Sequence, residues 1–278
     1  MHYSFITTKE MIQEGSIITE GEFKYRETTG AKDGAIILLH GLMGSLSNFG
    51  GLVDYFANTH NVVFPFLPIF DMPLRKLSVT GLVDYVDRFI EHQEYTNVHI
   101  VGNSLGGHIA QLYVLKRPDR VKSMTLTGSS GLFENAMGNS FPKRGNYEYI
   151  KKKTEDVFYD PKIATKKYVD DLYETVNNRN KAIRIITTAK SAIRHNLGDK
   201  LHDILCPTLL VWGKQDSVTP LFVGEKFNEL IPNSQLSIID KCGHAPMMEK
   251  PEEFNAIYEK FLASLQEKES EAKATSDS

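Results

Sequence analysis

The stretch Val98-His99-Ile100-Val101-Gly102-Asn103-Ser104-Leu105-Gly106-Gly107, continued by His108-Ile109-Ala110-Gln111-Leu112-Tyr113-Val114-Leu115-Lys116, decides how the 278-residue chain is read. Its first five residues form an apolar run of the kind expected for a strand covered on both faces. Residues Ser104–Lys116 carry a helical pattern. Between them, Gly102-Asn103-Ser104-Leu105-Gly106 makes a tight strand-to-helix turn, with glycines where the two backbones come too close for a Cβ. A serine on such a turn is held in a strained backbone geometry with its hydroxyl exposed. The helix start leaves N–H groups unpaired, and these favour negative charge nearby. Ser104 is thus a candidate nucleophile. A glycine-rich turn with an incidental serine is the competing reading of the same residues.

Outward from this turn, short β-rich runs alternate with helical patterns, which predicts an α/β fold with a mostly parallel central sheet flanked by helices. The expected strands are Glu22–Thr28, Ala35–Leu39, Val62–Phe66, Val98–Gly102, Val121–Thr127, Thr208–Trp212 and Gln235–Ile239. The expected helices are Ser78–His92, Ser104–Lys116, Pro220–Leu230 and Pro251–Leu265, the last with Phe254, Ile257, Tyr258, Phe261 and Leu262 on one face. From Phe133 to Lys200 no strand is expected, and three charged helical stretches predict an inserted helical subdomain. The core then comprises 1–132 and 201–265, the insertion 133–200, and the polar stretch 266–278 a disordered tail.

Composition excludes more than it identifies. Hydrophobic residues make up 41% of the chain and charged residues 24%, so a wholly disordered or fibrous chain is excluded. The net charge of −3 argues against a nucleic-acid partner. This average hides an asymmetry, since the insertion holds 14 Lys+Arg against 9 Asp+Glu. No apolar run approaches the roughly 20 residues of a membrane span, and the N-terminus lacks a secretory pattern. Two cysteines, Cys206 and Cys242, provide neither a disulfide framework nor zinc spacing. These features point to a cytoplasmic globular protein.

Three further loops follow expected strands, where α/β ligand sites form. His40-Gly41-Leu42-Met43-Gly44 follows Ala35–Leu39, and the N–H of Leu42 with that of Leu105 would make a two-donor oxyanion hole. His40 itself is expected to tie the loop down by hydrogen bonding. Asp216 follows Thr208–Trp212 by a short turn; a helix-capping role is the alternative. His244 lies in Cys242-Gly243-His244-Ala245-Pro246, just past the last strand, with Asp240 as a rival acid. The order is Ser104, Asp216, His244, with steps of 112 and 28 residues.

That order, with the glycine loop upstream, resembles the α/β-hydrolase family over residues about 20 to 265. The resemblance implies a serine hydrolase with Ser104, Asp216 and His244 as catalytic triad, Leu42 and Leu105 as oxyanion donors, and the insertion as a lid. It implies a small-molecule substrate and no cofactor; the nine histidines also show no metal-ligand spacing. Pocket candidates are Met43, Asn103, Phe133, Met137 and Met247, with Phe141, Phe158 and Tyr159 from the insertion; for Phe133, Met137 and these three, anchoring the insertion's own core is the alternative. Within the family, GNSLGG, KCGH and the stretch Tyr147–Asn178 resemble the meta-cleavage-product hydrolases, which break carbon–carbon bonds. Those enzymes carry Trp after the catalytic His, where this chain has Ala245, and a lid Arg where it has Leu172. Arg179, Arg184 and Arg194 are the nearby substitutes. A small or medium carboxylic ester is therefore the first expectation, a carbon–carbon bond hydrolase the second, and a non-catalytic receptor on the same fold the third. The basic lid is expected to present solvated helix faces, Lys151–Lys153 above all.

Overall fold

Ile36 and Leu38 alternate with Ile37 and Leu39, so both faces of this strand are apolar and it is stable only between two helical layers. A computed structural model of the chain describes residues 16–44, 46–133 and 144–276 and shows that arrangement. An eight-stranded sheet runs in the order β1-β2-β4-β3-β5-β6-β7-β8. Its strands are β1 (Ile18–Glu20), β2 (Phe23–Glu27), β3 (Ile36–Leu39), β4 (Val62–Pro65), β5 (Val98–Asn103), β6 (Val121–Thr127), β7 (Thr208–Gly213) and β8 (Ser234–Ile239). β1–β2 and β2–β4 pair antiparallel, and every other neighbouring pair is parallel. The seven expected strands are present within a residue or two. β1 was not expected; its three residues are polar or half-exposed and are held by pairing with β2, not by burial.

The two strand faces define two cores. Ile37, Leu39, Ile100 and Trp212 pack with helices α2 (Val79–His92), α3 (Leu105–Lys116) and α7 (Leu221–Leu230). Ile36, Leu38, Val101 and Val211 pack with α1 (Gly50–Phe56) and α9 (Pro251–Ser276) on the other side. Burying each such side chain contributes roughly 1.5–3 kcal/mol, which is why four-residue strands suffice here. α9 also corrects an expectation. The stretch after Leu265, expected to be disordered, continues the helix to Ser276. Its Gln, Glu, Lys and Ala residues are good helix formers propagating from an already nucleated helix, and Lys122 pairs with Glu269 at 3.1 Å.

The expected insertion lies between β6 and β7 and contains α4 (Tyr147–Glu155), α5 (Lys166–Asn177) and α6 (Arg179–Arg194). Each is started by a capping side chain: Asn146, Thr165 and Asn178 accept from the N–H of Tyr149, Tyr168 and Lys181. Much of its charge is internally matched, with Lys151–Glu155, Lys152–Asp156, Lys166–Asp170 and Lys167–Asp171 at i,i+4 spacing. A short turn, α8 (Pro246–Glu249), follows the His244 loop. Among the described residues no helix is long and apolar enough to cross a membrane.

Candidate active site

The site is built at the carboxyl edge of the parallel strands, and its first part is the turn from β5 into α3. Ser104 adopts φ 53° and ψ −119°, a region that costs a non-glycine residue about 1–3 kcal/mol. Local hydrogen bonds hold it there. Its N–H donates to Thr127 O, and its carbonyl accepts from Gly107, His108 and Ser130. A Cβ on Gly102 would lie 2.5 Å from Gly106 O, and one on Gly106 would run into the Leu39 carbonyl. The glycines are therefore required by close approach, as the sequence predicts. The Ser104 hydroxyl makes no capping bond to its own helix. Leu105, the first helical residue, has no preceding turn to receive its N–H.

The loop after β3 packs onto this turn, where a Cβ on Gly41 would sit 3.2 Å from the Ser104 Cβ. His40 anchors it. Its Nδ1–H donates to Gly41 O at 2.8 Å, and its Nε2 accepts from the Leu67 N–H at 3.2 Å. Burial lowers its pKa, so it stays neutral and both nitrogens are occupied. His40 thus ties the loop down, as expected.

Asp216 and His244 come together at the ends of β7 and β8. His244 Nδ1 is 2.9 Å from Asp216 Oδ2, and both residues are more than nine-tenths buried. The Asp216 carboxylate also accepts from the Val218 and Thr219 N–H groups and from the Thr219 hydroxyl. It therefore shapes its own turn while holding the imidazole. Asp240 points elsewhere: it is exposed, near Lys214 at 3.5 Å and Gln215 Nε2 at 3.1 Å.

Three supporting residues escaped the sequence reading. Gln215 accepts the Cys242 N–H, while its own N–H donates to Cys242 O, stitching the two loops together. Gly128 (φ 50°) lies where a Cβ would come 2.7 Å from His244 Nδ1. The Trp212 indole donates to Thr219 O and braces the acid loop. Only the glycine after the strand, in Thr127-Gly128-Ser129, was visible in sequence as a hint.

Ser104 and His244 share a cavity of about 440 Å³ with Gly41, Leu42, Met43 and Asn103. Ile150, Thr154, Val157, Phe158, Leu172 and Val176 line it from the insertion. Met43 and Asn103 thus line this cavity, and the Asn103 amide donates to the carbonyls of Thr127 and His244. Two other pocket candidates are corrected. Met247 is buried in the core with α9, and Phe133 packs edge-on against Phe222 at 5.3 Å. Both bury apolar area against neighbouring helices, and neither lines the cavity. Phe158 does line it, whereas Tyr159 is 47% exposed. Met137 and Phe141 lie outside the described residues. Leu172 faces the cavity, while Arg184 is held by the carbonyls of Ile69 and Met72. Lys153 is exposed, as expected of a solvated face, and is also among the cavity-lining residues.

This topology agrees with a family match: residues 34–251 match the alpha/beta hydrolase fold family, to which the chain belongs. Its relatives include hydrolases of more than one kind. The chain is 25% identical over 275 residues to "Monoacylglycerol lipase abhd6-B" of Xenopus laevis, covering 88% of this chain and 81% of the relative. It is 27% identical to the "2-hydroxy-6-oxononadienedioate/2-hydroxy-6-oxononatrienedioate hydrolase" of Burkholderia vietnamiensis, covering 94% and 98%. Among solved structures, MGS-MChE2, an alpha/beta hydrolase enzyme from a lagoon-sediment metagenome, shares 40% identity with a TM-score of 0.74, covering 90% of this chain and 98% of that one.

Proposed function

We propose that the protein is a serine hydrolase cleaving small or medium carboxylic esters through an acyl-enzyme, with Ser104, His244 and Asp216 as its triad. The observation that carries this reading is the buried Asp216–His244 hydrogen bond on the same cavity as a strained Ser104. With Nδ1 occupied by Asp216, the imidazole has Nε2 left to take the serine proton as Oγ attacks the acyl carbon. Asp216 holds the tautomer and stabilises the imidazolium. The N–H groups of Leu42 and Leu105 receive the oxyanion, each donor contributing about 3–4 kcal/mol by analogy with measured cases. His244 returns its proton to the departing alcohol, and water then repeats the sequence on the acyl-enzyme.

A fluorophosphonate probe is expected to label Ser104 of the wild type, with turnover of p-nitrophenyl butyrate. Ser104→Ala should lose both; undiminished labelling of that variant would remove Ser104 from the reaction. Similarity to the Burkholderia vietnamiensis hydrolase favours a second reading, carbon–carbon bond cleavage of a ring-fission dienoate. Against it, Leu172 lines the cavity where those enzymes place an arginine, and no arginine is among the described lining residues. A faster rate on a dienoate than on any ester would reverse the order of the two readings. Inertness on both, with tight binding of a small molecule, would favour a receptor.

A further inference from the structure

The sequence around His244 folds back on itself. Five residues beyond the histidine, at the end of the α8 turn, Glu249 returns its carboxylate to the residue before it. Glu249 Oε1 accepts the Gly243 N–H at 2.6 Å. Oε2 accepts two N–H groups from another part of the chain, those of Tyr159 at 2.8 Å and Asp160 at 3.2 Å, just past the inserted helix α4. A carboxylate has two acceptor oxygens facing different ways, so one side chain can bridge two segments. The same two segments meet once more, where the His244 N–H donates to Val157 O at 2.9 Å. The loop of Asp216 meets the insertion beside them, the Ser217 hydroxyl donating to Asp156 O at 2.6 Å. The contact is tight: a Cβ on Gly243 would lie 2.5 Å from Val157 O and 2.9 Å from Glu249 Oε1. Val157 and Phe158, between the fastened points, line the cavity.

We propose that Glu249 is a positioning residue that fastens the His244 loop to the end of α4, so that the imidazole and part of the cavity roof keep a single relative placement. This rests on the reading of His244 as the base. Without the carboxylate, Gly243, Tyr159 and Asp160 lose their acceptors together, and the two segments retain one backbone hydrogen bond, from His244 to Val157, and the packing of Phe158. Glutamine keeps one acceptor oxygen and turns an NH₂ group toward the other set of donors, so Glu249→Gln releases one side only. Alanine releases both.

The test compares full-length wild type, Glu249→Gln and Glu249→Ala well below their melting temperatures. In Glu249→Ala, kcat on p-nitrophenyl butyrate is expected to fall tenfold or more, with KM changing less than kcat. Amide exchange at Tyr159, Asp160 and Gly243 should accelerate at least tenfold, and the downfield proton resonance of His244 Nδ1–H should shift or broaden. Glu249→Gln should be intermediate, with one set of amides still protected. A Glu249→Ala variant that is less stable but keeps kcat within twofold and an unmoved His244 resonance would overturn the proposal. If the wild type proves inert toward esters and the probe, the reading of function fails. The exchange rates and the His244 resonance would still decide whether Glu249 fastens the loop.

Discussion

The turn carrying Ser104 and the pair formed by Asp216 and His244 are held by different kinds of contact. Ser104 is pinned by neighbours within residues 102–130, and its unusual backbone angles are stabilised by glycines two residues to either side. Asp216 and His244 are 28 residues apart and depend on Gly128, Gln215 and, through backbone bonds, on Val157 of the insertion. The first arrangement is built by one strand, the helix that follows it and the two neighbouring strands of the sheet. The second exists only when four separate chain segments have docked. Damage to the first should therefore appear as lost chemistry or lost folding, whereas damage to the second can be graded.

The largest expected effect tests the pair directly. Asp216→Asn is expected to lower kcat by about 10³–10⁴-fold while Asp240→Asn stays within twofold, since only the former contacts the imidazole. The reverse ranking, measured on p-nitrophenyl butyrate, would show that the wrong acid has been chosen. A second test loads the buried histidines of the sheet and of α3. His99 and His108 are pushed down to about 4 by burial, and His40 is lowered for the same reason. The unfolded chain then binds protons that the fold refuses below the ordinary pKa near 6.5. Stability contributed by these groups is present above that pH and declines as pH falls toward 4. The slope from His99 and His108 together approaches about 2.7 kcal/mol per pH unit. Urea unfolding at pH 7 and pH 5 would measure it, and a His99→Gln variant that left the slope unchanged would contradict the assignment.

A smaller effect separates the two regions. Gly128→Ala should cost about 1–3 kcal/mol of stability, because of its positive φ and the approach to His244, and should lower kcat. Fluorophosphonate labelling should slow in parallel, as the imidazole is displaced. Unchanged kcat in this variant would mean that the imidazole tolerates movement and that the pair is less tightly held than its contacts suggest. The smallest effect is expected at Lys166, whose pairing with Asp170 is exposed on the insertion. Lys166→Ala should leave the rate within twofold, and a larger loss would give the insertion's surface charge a part in catalysis.

The strands and the Ser104 turn were legible because each is written in neighbouring residues: apolar runs buried on two faces, and glycines at fixed offsets from a serine. His40 was legible for a similar reason, lying beside the loop it anchors. The pocket was harder to read. Phe133 and Met247 have the chemistry of cavity lining, but Phe133 packs edge-on against Phe222 and Met247 is buried in the core with α9. Lys153 keeps the exposure that its charge predicts and also borders the cavity, which a solvent-face pattern does not reveal. The stretch after Leu265 was misjudged because its polarity outweighed its helix propensity, and the helix ahead of it supplied the nucleus.

The amino-acid order by itself determined the sheet, the place of the insertion and the strained serine, because short-range periodicity and steric contact between adjacent elements leave few alternatives. Only the tertiary structure decided which side chains line the cavity and how Glu249 spans two segments. Those outcomes depend on hydrogen bonds between residues as much as 90 positions apart, whose geometry exists only after the sheet and the insertion have packed.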